Sequence, residues 1–280
     1  MSFSPEWLAL REPVDHRSRS TKLATRLAAR LGARDRIDVV DLGCGAGSNI
    51  RATAPLLGRD QRWTLVDYDP RLLAVARERL LAWGRPISES GDTIAIERID
   101  GGIARHLAVT FREADLARDL DRALGERPKL VTAAAFFDLV SAEFIGRLAA
   151  AVAARGADFY TTLTFNGVQT WEPRHTADSH MLQSFCRHQH GDKGFGPAAG
   201  PDAPAILAKE FAIDGYRISE GDSPWHIGPG DGTLLADLAA GFASAVAERR
   251  DVPAAAIAAW RSISRTGAVV GHTDTLATIG

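Results

Sequence analysis

Cysteine is nearly absent: Cys44 and Cys186 are the two in 280 residues. So small a number, so widely spaced, excludes a disulfide framework and a cysteine-based zinc site. No apolar run reaches the roughly eighteen residues that a transmembrane helix needs. The opening residues, Met1 to Arg11, lack an apolar signal core, so export is not expected. A surplus of charge is missing too. The formal net charge is −2, without the basic excess that nucleic-acid enzymes usually carry. No internal repeat or low-complexity tract interrupts the chain. These absences leave a cytoplasmic protein acting on a small molecule, with no nucleic-acid or membrane partner expected. The oligomeric state is open, a homodimer being one option. With 45% hydrophobic residues, residues 1–280 suffice for one large α/β domain.

What the chain does have is a glycine-rich loop in a telling place. Val39-Val40-Asp41-Leu42 reads as a buried strand, and Gly43-Cys44-Gly45-Ala46-Gly47-Ser48-Asn49 follows it. Glycine lets such a loop bring backbone N–H groups against a ligand. The dinucleotide pattern G-x-G-x-x-G would require a third glycine where this chain has Ser48. The G-x-G-x-G spacing, with Asp41 two positions ahead, instead resembles motif I of the class I S-adenosylmethionine (SAM) dependent methyltransferases. A second apolar run, Trp63 to Val66, ends in Asp67-Tyr68-Asp69-Pro70. Asp67 stands about where a ribose-binding carboxylate belongs, since both sites lie at the carboxyl ends of adjacent strands. Val109-Thr110-Phe111 leads toward Asp115-Leu116, and Leu130 to Ala135 leads into Phe136-Phe137-Asp138.

The resemblance implies a Rossmann-like α/β fold: seven strands, mostly parallel, the last antiparallel, with helices on both faces. It also implies SAM as cofactor and S-adenosylhomocysteine as product. Carried over position by position, the cofactor residues are Asp41, Gly43, Gly45, Gly47, Asn49, Asp67, Tyr68, Asp115, Leu116, Ala134 and Ala135. For Asp41 a second role is open, stiffening the loop by accepting backbone N–H bonds.

Around this centre the chain alternates. Leu23, Leu27 and Leu31 recur at helical spacing within a helix expected from Arg17 to Leu31. Residues 1–36 are expected to form an N-terminal cap over the cofactor, with Trp7 and Arg11 either facing the site or merely packing and solvated. Further helices are expected over 49–57, 72–83, 142–154, 233–249 and from Pro253 through Trp260. Thr93 to Ile96 reads as a short strand within an otherwise irregular stretch reaching Arg105. Asp158 to Phe165 reads as the fifth strand, Phe211 to Ser219 as the sixth and Ala268 to Ala277 as the last.

Between the fifth and sixth strands, residues 166–210 are expected to form a substrate lid with a short helix over 179–187, because long segments leaving the carboxyl end of such a sheet are usually functional. Four of the eight histidines fall here: His175, His180, His188 and His190. Their spacing matches no standard zinc pattern, so no metal is expected. The lid's polar groups are better suited to holding an acidic group or moving a proton. Candidate catalytic residues are Asp138, Asn166, His188 and His190. Candidate substrate contacts are Trp7, Arg11, Phe136, Phe137, His175 and Lys193. The Asn-Pro-Pro-Tyr signature of amino-methylating nucleic-acid enzymes is absent after the fourth strand. The leading expectation is methyl transfer to nitrogen or oxygen of a small acceptor. Its rivals are a SAM-binding protein without catalysis and an NAD(P)-dependent oxidoreductase.

Overall fold

The computed structural model describes residues 3–280. Ten strands form one sheet: β1 (Arg36–Leu42), β2 (Asp60–Asp67), β3 (Arg85–Ser90), β4 (Thr93–Asp100), β5 (Ile103–Glu113), β6 (Leu130–Ala134), β7 (Asp158–Glu172), β8 (Arg217–Asp222), β9 (Trp225–Ile227) and β10 (Gly267–Thr278). Their order is β3-β4-β5-β2-β1-β6-β7-β10-β8, with β9 beside β10. β5, β2, β1, β6 and β7 run parallel, and β10 enters antiparallel between β7 and β8. The seven expected strands are therefore all present, in a Rossmann-like arrangement. The three others are β9 and the β3–β4 pair, which extends the sheet past β5; β4 contains the short strand expected at Thr93 to Ile96. β3 is exposed at every residue, so it carries no alternating apolar signal in the sequence.

The helices are α1 (Pro5–Ser18), α2 (Thr21–Leu31), α3 (Ser48–Thr53), α4 (Pro70–Trp83), α5 (Leu120–Leu124), α6 (Ala142–Ala154), α7 (Asp178–Gln189), α8 (Ala203–Ile213), α9 (Gly232–Arg249) and α10 (Ala254–Arg261). Two apolar layers clothe the sheet, because neighbouring residues of a strand face opposite sides. Val39 packs with α2 and α4 through Leu23, Leu27, Leu73 and Leu80. Val40 packs on the other side with α6 and α8 through Phe144, Leu148, Leu207 and Phe211. A third cluster lies where β7 and β10 run on beyond the parallel strands. There α7, α9 and α10 gather on Trp171, Phe242 and Trp260.

Three boundaries differ from the sequence expectations. Phe211 belongs to α8, where Ala203, Leu207 and Phe211 recur four apart and are fully buried; the strand begins only at Arg217. β7 does not stop at Phe165 but continues to Glu172, because antiparallel β10 pairs with it all the way to Gly267. The helix expected from Arg17 is broken at Arg19-Ser20, where the Ser20 N–H donates to Asp274 Oδ2 at 2.8 Å instead of to a helical carbonyl. The other oxygen of Asp274 accepts from the Leu163 N–H at 2.8 Å. That N–H is freed by an irregularity in the β7–β10 ladder, where Leu163 adopts φ +59°.

Candidate functional site

The carboxyl ends of β1, β2, β5 and β6 open into one cavity of about 790 Å³, within the size range of small-molecule sites. α1 and the loop after α7 close it from the other side. Its floor is the glycine loop. Gly43, Gly45 and Gly47 all have left-handed backbones, at φ +59°, +51° and +74°, a conformation that a Cβ penalises. Space is tight as well, most of all at Gly43. A Cβ at Gly43 would stand 2.7 Å from the Phe136 ring, and one at Gly45 would stand 3.3 Å from Leu8. The loop is tied down by Cys44 N–H to the Val66 carbonyl and by Gly47 N–H to the Cys44 carbonyl. α3 then starts at Ser48 and ends at Thr53, short of the helix expected over 49–57, whose last part is a 3₁₀ turn over Ala54–Leu56.

Asp41 is fully buried and does not line the cavity. Its Oδ1 accepts from Asn49 Nδ2 at 2.7 Å; the same amide donates to Thr132 Oγ1. Asn49 Oδ1 in turn accepts from Arg19 and from Thr53. Asp41 thus stiffens the loop from beneath through Asn49, whereas Asn49 and Arg19 reach the cavity wall. Burial pushes the Asp41 carboxyl up to about 7, against the pull of Asn49 and Arg19.

Asp67 lines the cavity with Tyr68. One Asp67 oxygen accepts from Gly45 N–H at 2.8 Å and the other from Asp69 N–H at 3.0 Å. The Tyr68 N–H donates to the same carboxylate, and of about four lone-pair sites on its two oxygens one is left for a hydroxyl. Burial raises its pKa, opposed by those backbone bonds. Asp115 and Leu116, Ala134 and Ala135 also line the cavity. Asp115 accepts from the Ala117 N–H, and Ala135 holds φ +50° where the chain turns off β6. Of the eleven cofactor candidates only Asp41 and Gly47 stay behind the wall.

The substrate candidates divide. Arg11, Phe136 and Lys193 line the cavity. Phe137 is fully buried in the α6 layer, because the 3₁₀ turn Phe137–Leu139 points it inward. Trp7 packs against the third cluster instead of facing the cavity. His175 serves the start of α7: its Nδ1 accepts from Ala177 N–H, and its own N–H donates to Asp178.

Among the catalytic candidates, Asp138 is buried beneath the wall, its pKa raised by desolvation to about 6 and drawn back by Arg11 and Lys193. Asn166 sits inside β7 and bonds Thr273 and the Val168 N–H; it misses the cavity because the strand does not end there. His188 pairs with Glu248 at 2.9 Å on the surface of α7. His190 leans on the Ala198 carbonyl. Neither lines the cavity. No group of three or more histidine, cysteine or acidic side chains among the described residues is arranged to hold a metal.

Sequence reasoning missed Leu8, Asp15, Arg19, Arg122 and Phe195, all in the wall. Asp15 receives a bidentate bond from Arg11 (2.8 and 3.2 Å) and one from Trp225 Nε1 at 3.0 Å. Arg11 also lies over the Trp225 ring at 5.1 Å. The i, i+4 spacing of Arg11 and Asp15 was the available signal; its partner Trp225, 210 residues away, was not.

No protein-family model matches the chain, and no curated protein does. Solved structures do share its fold. The cyclopropane synthase MmaA2 of Mycobacterium tuberculosis superposes with a TM-score of 0.52 at 13% identity, over 99% of this chain and 95% of that one. A cyclopropane-fatty-acyl-phospholipid synthase-like protein of Lactobacillus casei gives 0.51 at 14% identity, over 95% and 98%. The YcgJ protein of Bacillus subtilis gives 0.51 at 11% identity, over 93% and 100%. At such identities the likeness is one of fold: a Rossmann-like sheet with the antiparallel strand β10 set between β7 and β8.

Proposed function

We propose that the protein is a SAM-dependent methyltransferase acting on nitrogen or oxygen of a small molecule. The observation that carries this reading is convergence. Gly43, Gly45, Asp67, Asp115 and Ala134 come from four different strand ends, yet all line one cavity. Asp67 would hold a ribose hydroxyl, Tyr68, Asp115 and Leu116 the adenine, and Gly43, Asn49 and Ala134 the amino-acid end. The bare backbone of the glycine loop suits such close approach. When bound, SAM supplies a methyl group already activated on a sulfonium, taken by the acceptor's lone pair as the carbon–sulfur electron pair returns to sulfur, leaving S-adenosylhomocysteine.

The chain's own work is then positioning and exclusion of water. α1 covers the glycine loop through Leu8, and Phe195 seals the opposite edge on Phe136 at 5.9 Å between ring centroids. Asp138 lies behind the wall and does not line the cavity, so it acts on the site through the charges of Arg11 and Lys193 and not by touching the acceptor. Residues 1–36 act as the cap, and the part of 166–210 that serves the site is the loop carrying Lys193 and Phe195.

The oxidoreductase reading fits less well. The dinucleotide-binding order continues with a sixth parallel strand, whereas here β10 runs antiparallel beside β7. A purely regulatory role sits poorly with a cavity that continues past the cofactor residues to Arg11, Phe136 and Lys193. The test is calorimetric titration with S-adenosylhomocysteine and NADH, together with mass spectrometry of small molecules released on denaturation. Binding of the former supports the reading; binding of NADH alone overturns it.

A further inference from the structure

The acceptor end of the cavity contains an imbalance of charge. Arg11 is neutralised by the bidentate bond to Asp15 and covered by Trp225. Asp138 lies beneath the wall and does not line the cavity. Lys193 does line it, and no carboxylate among the described residues comes within 4.0 Å of its ammonium; its one hydrogen bond is a long 3.4 Å donation to the His188 carbonyl. An ammonium that is part-buried and unpaired costs free energy that a bound anion would recover.

The loop that delivers Lys193 is built to hold still. Asp192 Oδ1 accepts from the N–H groups of Gly194 at 2.7 Å and Gly196 at 3.1 Å. Phe195 packs edge-on against Phe144 at 4.8 Å as well as against Phe136. A bridge from Ala198 to Ser141 fastens the loop to the start of α6. Desolvation lowers the Lys193 pKa, and the Glu248 and Asp138 carboxylates, beyond contact distance, pull it partly back. Beside Lys193 in the loop, Phe195 with the Phe136 ring packed on it supplies an apolar part of the same wall.

We propose that Lys193 anchors a carboxylate or phosphate on an otherwise apolar acceptor, so that the protein takes an acid and not an amine. The word acceptor rests on the methyltransferase reading; the anion site itself does not.

The probes are benzoate, phenyl phosphate, benzamide and benzylamine, titrated calorimetrically into the intact protein with and without S-adenosylhomocysteine. At least one anion should bind ten-fold or more tighter than benzamide. Lys193→Met should erase that preference to within two-fold, and Lys193→Arg should keep most of it. Benzoate alone binding would assign a carboxylate, phenyl phosphate alone a phosphate. Equal or tighter binding of benzamide or benzylamine overturns the proposal. So does an anion preference that survives in Lys193→Met, or no binding by either anion. Lys193 makes one weak contact, so its variants should fold; unchanged melting temperature checks this. Failure of S-adenosylhomocysteine to bind, with the anion preference intact, would sink the methyltransferase reading and leave the anion site standing.

Discussion

The two halves of the cavity are made in different ways. The half assigned to the cofactor is assembled by strand ends that hydrogen-bond side by side, so its residues are placed by the sheet itself. The acceptor half has no such frame. It is assembled from a helix at one end of the chain, a 3₁₀ turn after β6 and a loop after α7, held by side-chain contacts such as Arg11–Asp15–Trp225 and Phe195–Phe136. A frame made of backbone can persist while sequences diverge. A wall made of side chains is free to change with the substrate.

The contrast can be broken at its seam. Gly43→Ala should have the largest effect, since the Cβ would press on Phe136 from a left-handed backbone. The expected loss is ~2–4 kcal/mol of stability, combining the conformational and overpacking costs, with both halves of the site disturbed. Denaturant unfolding and S-adenosylhomocysteine titration measure it. Asp67→Ala should act on the cofactor half alone, weakening S-adenosylhomocysteine by ~1.5–3 kcal/mol, the range for charge-assisted hydrogen bonds. An unchanged affinity would mean that Asp67 only ties Gly45 in place.

A subtler effect concerns pH. The pKa of Asp41 is about 7 and that of Asp138 about 6, both above the ordinary carboxylate range, so the native state holds protons that the unfolded chain has lost. Their contribution is fully present below pH ~4 and is lost as pH rises through the native values. Buried His272, whose pKa burial lowers to about 3, works in the opposite sense below pH ~6.5, so the check is a difference: the melting temperature should fall relative to that of Asp41→Asn as pH rises from about 5 to 7. A slope identical in the variant would mean that Asp41 is ionised throughout. The smallest effect is expected for His188→Ala. It removes an exposed pair with Glu248 worth about 0–1 kcal/mol and should leave both ligand affinity and turnover nearly unchanged.

The same contrast explains what the sequence could reveal. Strand ends announce themselves locally: an apolar run, then Gly43 or Asp67 or Asp115, in a spacing that the fold imposes. Hence most of the cofactor candidates reached the wall. The acceptor side depends on contacts that no local pattern encodes, and His188, with its attractive chemistry, faces away because α7 turns its apolar side to the third cluster. Asn166 was misplaced because β7 runs on beside β10, a pairing with a strand a hundred residues later. The β3 strand was illegible for a simpler reason. An edge strand wet on both faces has no pattern to read.

One carboxylate joins the two distant ends of this fold. Asp274 receives the Ser20 N–H and so fixes the corner from which α1 reaches over the glycine loop. These residues are 254 positions apart. Nearer contacts, Glu12 with Arg51 and His16 with Ser48, hold α1 onto the start of α3. The roof of the cavity is therefore fastened twice, once by its neighbours in sequence and once by the strand that closes the sheet, and a disturbance of β10 would be felt at the ligand through that second fastening.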